Sequence, residues 1–354
     1  MQGEARSLNT SLLTSAMTLT QLGRPHVPQR YVLPSSQRPN RDHIVHPSTS
    51  LPIIDLSFLQ NPSLRSQTID EIQIACTELG FFQVINHGIP PSVMKDALDA
   101  STEFFNLPMD EKMLHASDNV HEPVRYGTSL NHVRDKFHFW RDFIKHYSHP
   151  ISNWIHLWPS NPPTYKEKMG NYAKAVQMLQ KQLMEVVLES LGLNPTYIQD
   201  EVEKGSQVLV ANCYPACPEP EVALGLPPHS DYGSITILLQ SSLGLQVMDH
   251  KKNWLSVPVV EGVLIVQLGD QMEVMSNGQY KSVIHRATVN SEKKRFSIAS
   301  LHSLALNKKM GPAEKLVDKE HPASYKEFSF KDFLEYISNN DIMGERFIDT
   351  LKKN

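Results

Sequence analysis

The rhythm of apolar and polar positions changes part-way along this chain. In the first part the apolar residues recur at helical spacing. Ile69, Ile72, Cys76 and Leu79 fall three and four residues apart, which predicts a helix, and Gly80 stands where its C-terminal cap belongs. Pro91-Ser92 opens a second predicted helix that turns Met94, Leu98 and Phe105 inward. The longest predicted helix follows Pro162-Pro163. Thr164 and Glu167 have the spacing of a capping box, Tyr172, Val176, Leu179, Leu183 and Val187 form a core-facing stripe, and Gly192 ends the run. Between the helices, LPIIDL (51–56) reads as a short buried strand. FFQVI (81–85) reads as another, stopped by the turn residues Asn86-His87-Gly88.

After residue 205 the period shortens. QVLVANCY, SITILLQ, LQVM, VLIVQLG, YKSVIH and FSIASL follow in quick succession, punctuated by Pro218, Gly233, Gly244 and Asn277-Gly278. Many short strands at close spacing predict a barrel or double-sheet jelly roll, not a parallel α/β sheet. The expected class is α+β. A double-stranded β-helix (jelly-roll) core spans 205–305, a helical N-terminal region at 51–204 packs against it, and a helical tail occupies 306–354. Residues 1–50, rich in Ser, Thr, Pro and Gln, are expected to form a partly disordered extension. No basic segment precedes a continuous apolar run there, so a secretory signal is not expected. Glu4 and the scarcity of Arg speak against a transit peptide.

Composition narrows the class further. At 354 residues, 40% hydrophobic and 20% charged, the chain has material for a sizeable core. A net charge of -4 leaves no basic footprint, so nucleic acid is not an expected partner. No apolar run is long enough to span a bilayer, so no membrane partner is expected either. Cys76, Cys213 and Cys217 are too few and too irregular for a disulfide framework, which points to a reducing, cytosolic setting. With no exposed apolar stripe, a monomer is expected.

The chemistry starts at His229-Ser230-Asp231. On a strand, residues i and i+2 share a face, so both side chains can meet one ion. Alone this means little, because a chain with 16 histidines should hold about one such triplet by chance. His285 follows a few strands later, where a jelly roll can return it beside the pair. Two imidazoles and one carboxylate on one face of a metal leave positions open for a chelating cosubstrate and dioxygen, the arrangement that suits non-haem Fe(II). Zinc is the competing metal, but no H-E-x-x-H helix supplies the base its chemistry needs. Arg295-Phe296-Ser297, again i and i+2, places a two-pronged guanidinium beside a hydroxyl. That pair is a natural receptor for the far carboxylate of an oxo-diacid. Asn212 and Tyr214 add polar groups nearby.

The chain resembles the plant Fe(II)- and 2-oxoglutarate-dependent dioxygenases of specialised metabolism, the group of flavanone 3-hydroxylase, flavone synthase I, anthocyanidin synthase and the salicylate hydroxylases. The resemblance covers about residues 30 to 345. It rests on LPIIDL (51–56), GFFQVINHG (80–88), FFNLPMDEK (104–112), NCYPACPEP (212–220), GLPPHSDYGSITILLQ (225–240), GDQMEVMSNGQYKSVIHRA (269–287) and RFSIAS (295–300). It implies Fe(II) on His229, Asp231 and His285, and 2-oxoglutarate on Arg295, Ser297, Tyr214 and Asn212. It also implies dioxygen as oxidant, ascorbate as reductant, and release of succinate and carbon dioxide. The implied reaction is oxidation, most simply hydroxylation, of a small plant metabolite such as a flavonoid or other phenolic.

Specificity is less legible. In WRDFIK (140–145) Phe143 and Lys145 share a strand face, and the resembling enzymes turn those positions toward substrate. An aromatic wall with one cation would suit a flat phenolic or a carboxylated molecule. Leu301 departs from the pattern: flavonoid-oxidising relatives usually carry Phe there, which stacks on the substrate ring. Cys213 is expected to be packing, His87 a structural histidine, His302 either pocket or core, and Lys281 and Arg286 solvated or paired strand charges. Two other readings share this sequence. One is a silent jelly-roll protein that binds a small acid or metal. The other is an enzyme of the same class with a desaturase or O-demethylase outcome, or one that uses ascorbate without an oxo-acid.

Overall fold

The structure, a computed structural model, describes residues 14–39, 44–45, 51–130 and 135–353. Among them the strands are β1 (Ile44–Val45), β2 (Ile53–Asp55), β3 (Phe81–Ile85), β4 (Val124–Thr128), β5 (Asp142–His149), β6 (Ser206–Tyr214) and β7 (Leu226–His229). They continue as β8 (Ile235–Gln240), β9 (Leu245–Met248), β10 (Trp254–Ser256), β11 (Leu264–Leu268), β12 (His285–Ala287) and β13 (Arg295–Ser303). An eight-stranded sheet runs β2-β3-β11-β8-β13-β6-β5-β4, and a five-stranded sheet runs β1-β10-β9-β12-β7. The two sheets form the expected double-stranded β-helix core, with helices packed against it.

Two-residue alternation decides what each face of the large sheet does. From β13, Arg295, Ser297, Ala299 and Leu301 line a cavity, while Ile298 turns into the main core. From β6, Val208, Val210, Asn212 and Tyr214 line it, and Leu209, Ala211 and Cys213 turn away. From β5, Phe143, Lys145 and Tyr147 line it, and Ile144 turns away. The outer face packs on the helix Tyr165–Ser190, whose predicted stripe of Tyr172, Val176, Leu179, Leu183 and Val187 is buried as expected. Each such side chain contributes roughly 1.5–3 kcal/mol by leaving water.

Several elements differ from the pattern reading. The strands expected at 51–56, 81–85 and 140–145 form as β2, β3 and β5, but β4 was not expected; β2 and β3 extend the large sheet at one edge, and β5 and β4 at the other. The capping box at Thr164 does not form. Thr164 is helical (φ -85°, ψ -3°), so its hydroxyl is not turned back on the first turn. In YKSVIH only His285 belongs to a strand. The backbone N–H groups of Tyr280 and Ser282 donate instead to side chains, Ser276 Oγ at 3.0 Å and Glu273 Oε2 at 2.7 Å.

The N-terminal extension, where described, is docked rather than loose. A short helix, Ala16–Gln21, is capped by Ser15. The N–H groups of Ala16 and Met17 donate to the buried Asp142 carboxylate at 2.9 and 3.1 Å, and the Thr20 hydroxyl reaches the Ala216 carbonyl at 2.9 Å. Residues 1–13, 40–43 and 46–50 lie outside the described residues. In the tail, the helix Phe330–Asn339 carries a reciprocal cap formed by Ser329 and Asp332.

Candidate active site

The side chains of His229, Asp231 and His285 come together as expected, with one ligand atom from each within 4.8 Å of the others. Strand pairing does most of this. β7 and β12 are antiparallel, and His285 stands directly opposite His229, with the rings 4.2 Å apart. Asp231 arrives differently from the expectation, because β7 ends at His229 and the aspartate sits in the following bend. Its carbonyl accepts the N–H of Asp270 at 2.7 Å, which fixes that bend. The Asp231 carboxylate then lies 3.7 Å from His229 Nε2 and 3.8 Å from His285 Nε2.

Both imidazoles are oriented for metal binding. His229 Nδ1 bonds the Pro227 carbonyl at 2.8 Å and His285 Nδ1 bonds the Val283 carbonyl at 3.1 Å. The Nδ1–H therefore points away and leaves Nε2 with its lone pair toward Asp231. Burial, reinforced by the neighbouring His285, lowers the His229 pKa to about 3, so the ring is neutral at physiological pH. Two imidazoles and a carboxylate fit a divalent first-row metal with positions left open.

In the same cavity lies Arg295, 2% exposed. Its Nε donates to the Ser242 carbonyl at 3.0 Å and its Nη2 to Gln240 Oε1 at 3.1 Å, while Nη1 is buried without a protein partner. Its guanidinium carbon lies 4.9 Å over the Tyr214 ring. Gly244 leaves room for it, since a Cβ there would sit 2.7 Å from Arg295 Cδ. Leaving a buried guanidinium N–H unpaired is costly, so the site is built for an anion that completes the set. Ser297 follows on the same strand face, beside Asn212 and Gln240 on the neighbouring strands. Asn212 is less free than expected: its carbonyl oxygen accepts from Arg141 at 3.1 Å, and its amide lies 3.4 Å from Ser297 Oγ.

Residues 205–303 match the sequence model of the 2OG-Fe(II) oxygenase superfamily, and residues 51–161 match that of the N-terminal region of non-haem dioxygenases of morphine synthesis. The chain belongs to the 2-oxoglutarate-dependent dioxygenases. It is 44% identical over 324 residues to Flavanone 3-dioxygenase 3 of Oryza sativa subsp. japonica, covering 90% of this chain and 98% of that one. It is 46% identical over 305 residues to 2-oxoglutarate-dependent dioxygenase 21, chloroplastic, of the same plant, covering 85% and 91%. Among solved structures it is similar to JOX2 in complex with 2OG, Fe and JA, with a TM-score of 0.84, 31% identity and coverage of 97% and 98%. Fe(II) and 2-oxoglutarate are thus the cofactor and cosubstrate of this dioxygenase, and the His-Asp-His cluster and the Arg295 cradle fit them.

Around these two features the dioxygenase encloses a cavity of about 270 Å³. Phe143, Lys145 and Leu301 all line it, but Phe143 is not the open aromatic wall that the sequence suggests. The guanidiniums of Arg125 and Arg141 lie against it, 4.8 and 4.7 Å from the ring centroid. Leu301 packs with Tyr232, Phe330 and Leu334, so the C-terminal helix closes the cavity here. Tyr232 stacks on Phe330 at 4.4 Å and on Phe333 at 4.6 Å. The apolar stripe Phe330, Phe333, Leu334, Ile337 was available in the sequence at helical spacing, but nothing marked it as facing the site rather than the core.

Arg286 corrects another expectation. It is not solvated, and among the described residues it has no ion-pair partner. It is 4% exposed, its guanidinium lies 4.0 Å over Trp254, and its Nε donates to Gln246 at 2.7 Å. β12 lies between β7 and β9, so its central residue has no solvent edge. Lys281 is exposed as expected. His302 resolves to core: it faces away from Leu301, bonds Ser300 at 2.8 Å, and burial lowers its pKa to about 3. His87 is structural, bonding the Gly262 carbonyl at 3.0 Å, and Cys213 packs on Met17.

Proposed function

We propose that this dioxygenase hydroxylates a small plant phenolic metabolite, with release of succinate and carbon dioxide. In this reading His229, Asp231 and His285 hold Fe(II). Arg295, through its unpartnered Nη1, takes the far carboxylate of 2-oxoglutarate, with Ser297, Tyr214 and Asn212 beside it. When bound, iron and the oxo-acid supply the activation of dioxygen; the chain supplies orientation and excludes water. The observation that carries the reading is one buried cavity holding both the three-ligand cluster and a guanidinium short of one partner.

Phe143, Lys145 and Leu301 border the substrate in this reading. Similarity to Flavanone 3-dioxygenase 3 favours a flavonoid, while Leu301 removes the ring that would stack on one. A phenolic that does not depend on that stack reconciles the two. Desaturation or O-demethylation would use the same iron site, and the mass change of the product separates them. The chain is read as a monomer acting in the cytosol, which light scattering and a fluorescent fusion test. No helix among the described residues is long and apolar enough to cross a membrane.

The test is a mass-spectrometric screen of plant phenolic and terpenoid extracts with protein, Fe(II), ascorbate and 2-oxoglutarate, and His229→Ala as control. A cosubstrate-dependent ion shifted by one oxygen is the expected result. No changed ion and no succinate above the control, with iron bound, would favour a silent binding protein.

A further inference from the structure

β4 and β5 pair antiparallel, and their register sets Arg125 directly opposite Lys145. Like charges at directly opposed positions destabilise a sheet, and burial raises that cost. Both face the dioxygenase cavity, and Arg125 is only 4% exposed. The neighbouring pair on the same strands is Gly127 opposite Phe143, and the guanidinium carbons of Arg125 and Arg141 lie 4.8 and 4.7 Å from the Phe143 ring centroid. A Cβ at Gly127 would fall 3.0 Å from the Phe143 ring, so this glycine makes room for the ring.

The donors on this wall are unevenly satisfied. Arg141 is fully engaged, by the Ser129 carbonyl twice and by Asn212. Arg125 has Nη2 on the Leu130 carbonyl at 3.0 Å, with Nε buried and unpartnered. Among the described residues Lys145 makes one hydrogen bond, to the Val120 carbonyl at 2.6 Å, for an ammonium with three donors, and lies 5.6 Å over the Tyr147 ring. Asp118 and Asp135 offset the charge of Arg125, and Glu122 acts in the same way on Lys145. Tyr336, Asp341, Glu345 and Arg346 reach the cavity from the C-terminal segment, and Tyr147 follows Lys145 on β5.

We propose that this wall is a receptor for a carboxylate, and that the substrate is a small apolar acid whose carboxylate is bound by Lys145 with Arg125 behind it. The inference rests on the dioxygenase reading of the cavity and names the class of molecule that fills it. A substrate carboxylate converts two opposed cations into a cation–anion–cation arrangement, which removes the repulsion and fills the open donors. Phe143 is already in cation–π contact with two guanidiniums, so ring stacking on it is not part of this recognition.

Lys145 also gives the binding a pH signature. Burial, with the nearby Arg125, lowers its pKa to about 7. A bound carboxylate favours the ammonium form and raises that value. Affinity for an acid is therefore flat below about pH 7 and falls as pH rises past it, until the raised pKa of the complex is passed. Arg at this position, which stays charged, abolishes the dependence.

The test is calorimetric binding to the anaerobic Fe(II)- and 2-oxoglutarate-loaded enzyme. The probes are benzoate, 3-phenylpropanoate and 1-naphthoate, each beside its methyl ester. The expected result is at least one acid binding about tenfold or more tighter than its ester, the size of a charge-assisted hydrogen bond. Lys145→Met should abolish that preference, and Lys145→Arg should keep it without the pH dependence. An acid no tighter than its ester in every pair, or a preference unchanged in Lys145→Met, overturns the receptor. Succinate formation under air is measured on the same samples. If it persists, the receptor fails alone; if it is absent as well, the dioxygenase reading of the cavity fails with it.

Discussion

Two walls of one cavity are built on opposite terms. The wall made by β7, β12 and the start of β13 fixes its site groups and leaves one donor, Arg295 Nη1, open: backbone carbonyls hold both histidine Nδ1 atoms, and Ser242 and Gln240 hold Arg295. The wall made by β4 and β5 sets two cations against each other and leaves donors open. The first is preorganised for a metal and an acid that are the same in every turnover. The second is held in tension until something specific arrives. In the proposed reading, chemistry belongs to the first wall and choice of substrate to the second, strained one.

The division breaks most visibly at the iron cluster. His229→Ala should abolish both iron retention and succinate formation, an effect larger than the roughly 10–100-fold typical of changes beyond the ligands. Metal analysis beside turnover checks it. Arg295→Lys comes next. It should keep iron but weaken 2-oxoglutarate by about 2–3 kcal/mol, roughly a hundredfold, because a point charge cannot reproduce the fork. Anaerobic titration of the cosubstrate reads this directly, and near-normal affinity would separate Arg295 from the oxo-acid.

Changes on the strained wall should be smaller and should spare iron. Gly127→Ala pushes a methyl against the Phe143 ring and should cost about 1–3 kcal/mol, a few degrees in thermal unfolding, with iron content unchanged. The smallest effect has an unusual sign. Lys145 has a folded pKa depressed to about 7 from an ordinary value near 10.5, so between those values the unfolded chain binds more protons. Stability contributed by this group therefore rises with pH across that window. Lys145→Met should be more thermostable than the parent near pH 7, with the difference shrinking toward pH 10. Equal curves at all pH values would mean that Lys145 is not held against its charge.

What the sequence disclosed follows the same line. His229, Asp231, His285, Arg295 and Ser297 were legible because short spacings along the strands, once joined by one strand return, put them together. Even there the route differed for Asp231, which a bend rather than a strand carries into place. The Arg125–Lys145 opposition was not legible, since it depends on the register between strands separated by a loop. Nor was the contact of Phe143 with two guanidiniums, since one of them, Arg125, comes from the paired strand β4. Arg286 misled because a charge in a short strand normally implies an edge, and only the sheet order shows that β12 has none. The long helix needed only its own periodicity. The N-terminal segment looked loose because its anchor, the Asp142 carboxylate, lies more than a hundred residues away.

The most direct test of the account is a crystal structure of the anaerobic Fe(II)–2-oxoglutarate complex. The account predicts iron on His229 Nε2, Asp231 and His285 Nε2, and the far carboxylate of the oxo-acid on Arg295 Nη1. Iron bound elsewhere, or an oxo-acid that leaves Arg295 Nη1 without a partner, would contradict it.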